Sequence, residues 1–169
     1  MSCSRNWQPL SKIVIADAGP LIAFARLHQL GLLPQIFDHV FVTDVVFSEC
    51  AGRADFPESP LIREAVDKMP MELCTAPDFS AYAQKIDAGE ASAIAVAIEH
   101  GCGVLMDDKA GRKMASNAGV PVIGTVGVLV LAKRKGIIPL VKPQLEKLAA
   151  SGYFLSEEII AAALDASGE

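Results

Sequence analysis

Five carboxylates stand where strand-like and helix-like segments of the chain begin or end. Asp17 closes the apolar run Ile13-Val14-Ile15-Ala16, and Asp107 and Asp108 close the run Val104-Leu105-Met106. Glu49 and Glu90 lie on or at the start of segments with helical patterning. Brought within ~4 Å at an effective dielectric near 20, each like-charged pair would cost about 4 kcal/mol. Such a cluster persists only where protons or a cation relieve it. Oxygen donors with no His or Cys beside them suit Mg²⁺ or Mn²⁺, one ion or two. A cation so held can activate water and stabilise a phosphoryl group under in-line attack. The chemistry in view is phosphodiester hydrolysis.

Each acid also has a plainer use. Asp17 could cap the helix that follows it, and Glu90 in a first helical turn complements the helix dipole. Glu49 could be a solvated surface charge, and Asp107-Asp108 a turn capping the next helix. Their joint placement at one edge is what argues for a site. Lys109, Arg112 and Lys113 follow Asp107-Asp108 directly and could meet nucleic-acid phosphates, or simply face solvent. Thr125, between Gly124 and Gly127, could offer a hydroxyl and helix-start amides to a phosphate, or serve as an N-cap. Lys133-Arg134-Lys135 ends a helix, where cations suit the C-terminal dipole. His28, His39 and His100 share no motif. A serine elbow, a Walker loop and a G-x-G-x-x-G after the first strand are all absent from the sequence, so no nucleotide cofactor is expected.

The elements that must position these acids follow from periodicity. Short continuous apolar runs predict strands at 13–16, 40–42, 71–75, 104–106 and 121–123. Helices are predicted over 20–28, capped by Gly19, and after a Thr43 or Asp44 cap through Glu49. Further ones are expected at 61–68, 89–100, 109–117, 126–135 (capped by Thr125), 142–150 and 157–165 (capped by Ser156). Ala91, Ile94, Ala95 and Ile98 make a stripe at helical spacing. Alternation of this kind implies an α/β fold, three layers deep, with a central mostly parallel sheet and helices on both faces. In such a sheet all C-terminal strand ends open onto one edge, where ligands bind. Three separated segments thus aim acids at one crevice, and Glu49 can reach it.

The rest of the composition sets bounds. The 169 residues suit one domain, residues 1–169, with the helices at about 142–165 packed on it. Half of the residues are apolar and few are aromatic, an ordinary globular balance that excludes disorder. No run is long enough to span a membrane, and residues 1–12 lack a signal-peptide pattern, so the cytoplasm is expected. Cys3, Cys50, Cys74 and Cys102 form no C-x-x-C pair and read as reduced thiols. A net charge of −5 argues against a strong non-specific grip on a phosphate backbone, though an acidic metal pocket contributes to that charge.

The chain resembles the PIN-domain family of metal-dependent nucleases over nearly its whole length. The likeness rests on Ile15-Ala16-Asp17-Ala18-Gly19-Pro20-Leu21-Ile22, Val42-Thr43-Asp44-Val45-Val46-Phe47-Ser48-Glu49, Gly89-Glu90-Ala91-Ser92-Ala93-Ile94 and Leu105-Met106-Asp107-Asp108. Gly124-Thr125-Val126-Gly127-Val128-Leu129 with Ala132-Lys133-Arg134-Lys135-Gly136 looks like a bacterial and archaeal subgroup related to VapC-type toxins. By that resemblance Asp17, Glu90 and one of Asp107 or Asp108 would ligate metal, and Glu49 would ligate or order the attacking water. Two departures stand out. Many relatives carry Ser or Thr after the first Asp, where this chain has Ala18-Gly19, and the central acid, often Asp in toxins, is Glu90.

The resemblance implies a Mg²⁺- or Mn²⁺-dependent endoribonuclease acting on single-stranded RNA, toxin-like, restrained by a small antitoxin and homodimeric. The competing expectation keeps the fold without the chemistry, as an RNA- or protein-binding module. A receiver-like phosphoacceptor domain would want the acidic pair after the first strand and a lone Asp after a central one. This chain has the reverse order.

Overall fold

The computed structural model describes residues 12–68 and 71–169. In chain order the elements are β1 (Ile13–Ala16), α1 (Ala18–Arg26), a 3-10 turn (Leu30–Leu32), α2 (Leu33–Ile36), β2 (His39–Thr43) and α3 (Asp44–Ala51). Then come α4 (Ser59–Lys68), β3 (Met71–Cys74), α5 (Ser80–Ala83), α6 (Ala88–His100), β4 (Gly103–Leu105) and α7 (Lys109–Asn117). The chain finishes with β5 (Val122–Ile123), α8 (Thr125–Arg134), α9 (Lys142–Ala150) and α10 (Glu157–Ser167).

Among the described residues the five strands form one sheet in the order β3-β2-β1-β4-β5, parallel throughout. Successive side chains of a strand point to opposite faces, and here both faces are apolar. Val14 and Ala16 of β1, Val40 and Val42 of β2, Leu105 and Ile123 pack into one core with α1, α2, α3, α4 and α8. Leu145 and Leu148 of α9 and Ala163 of α10 join that side. Ile15 and Val104, with Met106 just past β4, pack into a second core against α6 and α7. Two-sided burial explains why the strands are continuous apolar runs, and helices on both faces give the three layers.

Several boundaries differ from the pattern-based reading. α1 starts two residues earlier, so Asp17, not Gly19, holds the N-cap position. Gly124 holds that position for α8, and Thr125 is the first helical residue. Thr43 and Ser156 cap α3 and α10 as expected, each accepting from an amide three residues on. α2, α5 and the 3-10 turn are too short to carry a helical period and went unforeseen. α6 is buried from Gly89 through Ala97 on nearly every side, whereas Ile98 is 43% exposed. Cys50 and Cys102 are buried and Cys74 partly so, all as free thiols; Cys3 and nearly all of the 1–12 segment lie outside the described residues. No helix among the described residues is long and apolar enough to cross a membrane.

The C-terminal helices are tied back by Glu169. Its carboxylate accepts from the Val141 and Lys142 amides at 2.6 and 2.9 Å and from Lys133 Nζ at 2.9 Å. It thereby caps the start of α9, where Val141 offers no side-chain cap of its own.

Candidate active site

The sheet order reverses direction between β1 and β4, and such a switch point leaves a crevice at the strand ends. Asp17 leaves β1 there, and its amide donates to the Leu105 carbonyl of β4 at 3.0 Å. Although it occupies the N-cap position of α1, its carboxylate makes no capping bond across the first turn. Asp17 is 6% exposed. Burial pushes its carboxyl up to about 7; the Ala18 amide opposes this, while Glu90, Asp87 and Glu49 add to it.

α6 brings the second acid. Asp87 caps it by accepting from the Glu90 amide at 2.8 Å. The sequence Asp87-Ala88-Gly89-Glu90 has the D-x-x-E spacing of a helix start. Glu90 is 5% exposed, and its carboxyl is pushed up to about 7 by burial, then by Asp87 and Asp108. Gly111 of α7 makes room for it, since a Cβ there would stand 3.1 Å from Glu90 Cδ and 2.5 Å from Met106 Sδ.

Glu49 reaches the same place from α3. Its Oε1 accepts from the Gly89 amide at 3.0 Å. Burial and the charge of Asp87 raise its proton affinity, against the Gly89 bond. The approach of α3 to α6 is held from within. Ser92 donates to the Gly89 carbonyl at 2.7 Å, which leaves its oxygen to accept from the Thr43 hydroxyl, also at 2.7 Å. Thr43 in turn accepts from the Val46 amide. Both hydroxyl residues are fully buried.

Asp107 and Asp108 divide. Asp108 caps α7, accepting from the Ala110 and Gly111 amides at 2.8 and 3.0 Å, and lies close enough to Glu90 to raise that acid's proton affinity. Asp107 is taken up elsewhere. Its Oδ1 accepts from the Thr125 amide at 2.7 Å, and its Oδ2 accepts from the Thr125 hydroxyl at 2.6 Å and from the Tyr153 hydroxyl. Asp107 thus fills the N-terminus of α8 as an internal anion and joins it to the α9–α10 connection.

The structure therefore brings Asp17, Glu49, Glu90 and Asp108 into one electrostatic cluster with Asp87, which pattern reasoning overlooked despite its capping spacing. Tyr153 was also overlooked, and no local signal marks it. Lys109 and Lys113 are exposed beside the cluster. Arg112 instead donates to the Met106 carbonyl at 2.8 Å, which pins it to the strand end. Thr125 is fully buried with amide and hydroxyl both engaged by Asp107, so the expected phosphate contact and N-cap role are both replaced by an internal one.

Among the described residues no three His, Cys, Asp or Glu side chains stand close enough to ligate one ion. The donor set nonetheless fits a hard divalent cation in kind: oxygen only, with two buried carboxyls whose proton affinity burial and neighbouring acids raise. Mg²⁺ commonly keeps several waters and takes only one or two carboxylates directly. A family model described as a PIN domain matches residues 13–169. No curated protein matches the chain.

Proposed function

The chain belongs to the PIN-domain family, whose members are generally nucleases, and from that premise we propose a divalent-metal-dependent endoribonuclease acting on single-stranded RNA. The observation that carries the reading is the pairing of two nearly buried carboxyls, Asp17 and Glu90, at the switch point between β1 and β4. Fold maintenance does not call for that pair; a cation site does.

Asp17 and Glu90 would hold the ion directly, with Asp108, beside Glu90, taking one of its waters. When bound, Mg²⁺ or Mn²⁺ would neutralise the acids and the charge that builds on the phosphoryl oxygens. Glu49 is exposed, and Gly89 engages its Oε1, which leaves Oε2 to order a water and take its proton. The water oxygen bonds to phosphorus in line as the P–O3′ bond breaks, and O3′ takes a proton from solvent. The products are a 5′-phosphate and a 3′-hydroxyl. Asp107 anchors this edge through Thr125 and Tyr153. In the cell we place the protein in the cytoplasm as a homodimeric, toxin-like ribonuclease restrained by a small antitoxin.

Cleavage of a fluorescent single-stranded RNA in Mn²⁺, beside an Asp17→Asn control, tests the chemistry. Activity in the wild type that the variant loses supports it; equal rates, or none from a folded wild type across several metals and RNAs, refute it. The lack of three converging donors, with Ala18-Gly19 after the first acid, favours one other reading, a binding module on the same fold. Mn²⁺ separates the two, because an ion that binds only the folded protein raises its melting temperature.

A further inference from the structure

A groove of about 690 Å³ runs along the exposed face of α3, lined by Asp44, Val45, Ser48, Glu49 and Arg53. Glu49 belongs both to this groove and to the acidic cluster, so the two are continuous. Among the described residues that line it, Arg53 is the one cation. Arg53 stands two residues past the end of α3, in the same groove as Glu49.

We propose that RNA leaves the acidic site along this groove and that Arg53 holds the phosphate next to the scissile one. The inference rests on the ribonuclease reading and adds to it the path of the substrate. Charge sets the direction. Asp44 at the near end is already engaged, accepting from the Val45 and Ala76 amides at 3.1 and 3.2 Å. Arg53 is engaged only loosely. Its Nε lies 3.7 Å from Asp55, with both side chains more than 60% exposed, and such pairs contribute little. Its guanidinium rests over the Phe56 ring at 5.2 Å, which holds the plane while the outer nitrogens stay open to a forked phosphate contact. Between the ends, the Ser48 hydroxyl has no partner among the described residues and Val45 offers a small apolar surface to a sugar or base. At the start of α7 the exposed Lys109 follows Asp108 directly.

The test uses the full chain with a fluorescein-labelled single-stranded 12-mer RNA in Ca²⁺, followed by anisotropy across a salt series. Arg53→Ala is expected to weaken binding about fivefold and to reduce the slope of log K against log salt by about 0.7, the loss of one single-strand phosphate contact. Arg53→Lys should keep the slope and lose part of the affinity, because a point charge replaces the fork. In Mn²⁺ turnover of the same RNA, Arg53→Ala should raise KM and leave kcat in place, while a dinucleotide, too short to reach Arg53, should be cut equally by both proteins. The Mn²⁺-induced melting shift should not change. Unchanged affinity and slope in Arg53→Ala, with RNA still cleaved by the wild type, overturn the path alone. A wild type that neither binds nor cleaves RNA overturns the ribonuclease reading with it. Tighter binding of oligolysine by Arg53→Ala, with RNA binding unaffected, would make the groove a docking face for a cationic partner and likewise end the proposal.

Discussion

Glu49 and Gly89 fit together as a side chain and the slot that receives it. The Glu49 carboxylate takes the Gly89 amide at 3.0 Å on one oxygen, and the other oxygen would lie 2.2 Å from a Cβ at position 89. The glycine is an opening for an acid here, at a position where helix propensity alone would favour alanine.

Gly89→Ala should therefore separate stability from activity. Alanine improves α6 by up to about 1 kcal/mol in propensity, and the displaced group is the mobile end of an exposed side chain, so melting should move by only a few degrees. RNA cleavage should fall at least tenfold. Measuring both on one preparation decides the matter, and full activity in the variant would show that Glu49 need not sit there.

Proton affinity at Asp17 and Glu90 makes a second prediction. Both carboxyls lie near 7 in the folded chain against ordinary values of 3.8 and 4.5. The folded state therefore binds protons more tightly than the unfolded one. This stabilising contribution is complete below the ordinary values and declines as pH rises through the folded ones. In EDTA, thermal melts should be higher at pH 5 than at pH 8, by a few kcal/mol of stability at most. Asp17→Asn should remove about half of that slope, the rest belonging to Glu90, and Mn²⁺ should flatten it further. A melting temperature that climbs from pH 5 to pH 8 in EDTA would contradict the assignment.

The neighbours Asp107 and Asp108 should respond in opposite ways to the same change. Asp107→Asn turns an acceptor of three hydrogen bonds into a side chain that must donate with one end, and should cost about 2 kcal/mol of stability. Asp108→Asn keeps a good capping residue and should melt close to wild type while losing most of the Mn²⁺-induced shift. The reverse pattern would place the ion on Asp107.

Tyr153→Phe removes one of the donors to Asp107 and the hydroxyl's contact with Thr125. A loss of about 1 kcal/mol is expected by denaturant titration, together with reduced cleavage although the tyrosine is not among the acids. Were Asp107→Asn combined with it, the two losses should fall short of their sum, since they remove a shared bond.

Glu169 should show the opposite pH sign to Asp17. Desolvation works against its charge, yet the Val141 and Lys142 amides and Lys133 bring its carboxyl down to about 2. Its contribution is present above 4.5 and disappears as pH falls towards 2. Glu169→Gln should melt below wild type at pH 7, and the gap should close in acid.

Strands buried on both faces announce themselves as apolar runs, and for that reason the sheet and its layers were legible from residue pattern alone. So was the placing of acids at strand ends, because parallel pairing sends Asp17 and Asp108 to one edge whatever the side-chain detail. Which of two adjacent Asp residues faces the crevice was not legible. That depends on Tyr153, which reaches Asp107 across 46 positions from a connection with no periodic signal. Arg112 reads from sequence as a phosphate contact or a solvent-facing cation, and Thr125 as a phosphate contact or an N-cap, for a similar reason: their partners, the Met106 carbonyl and Asp107, are set by packing between elements. Asp87 is a different case, since its three-residue offset from Glu90 is a capping signature visible in the chain.

The adjacency of β1 and β4 also bears on the order in which the protein assembles. As a chain emerges from the ribosome, β1, β2 and β3 can pair first and leave the edge of β1 open, with Asp17 hydrated. Only when α6 arrives does that side chain meet Glu90 and Asp87. Apart from the contribution of Glu49 on α3, mutual repulsion is thus deferred to the closing event, which should quicken in mild acid or with a divalent salt while the earlier pairing proceeds at its own pace.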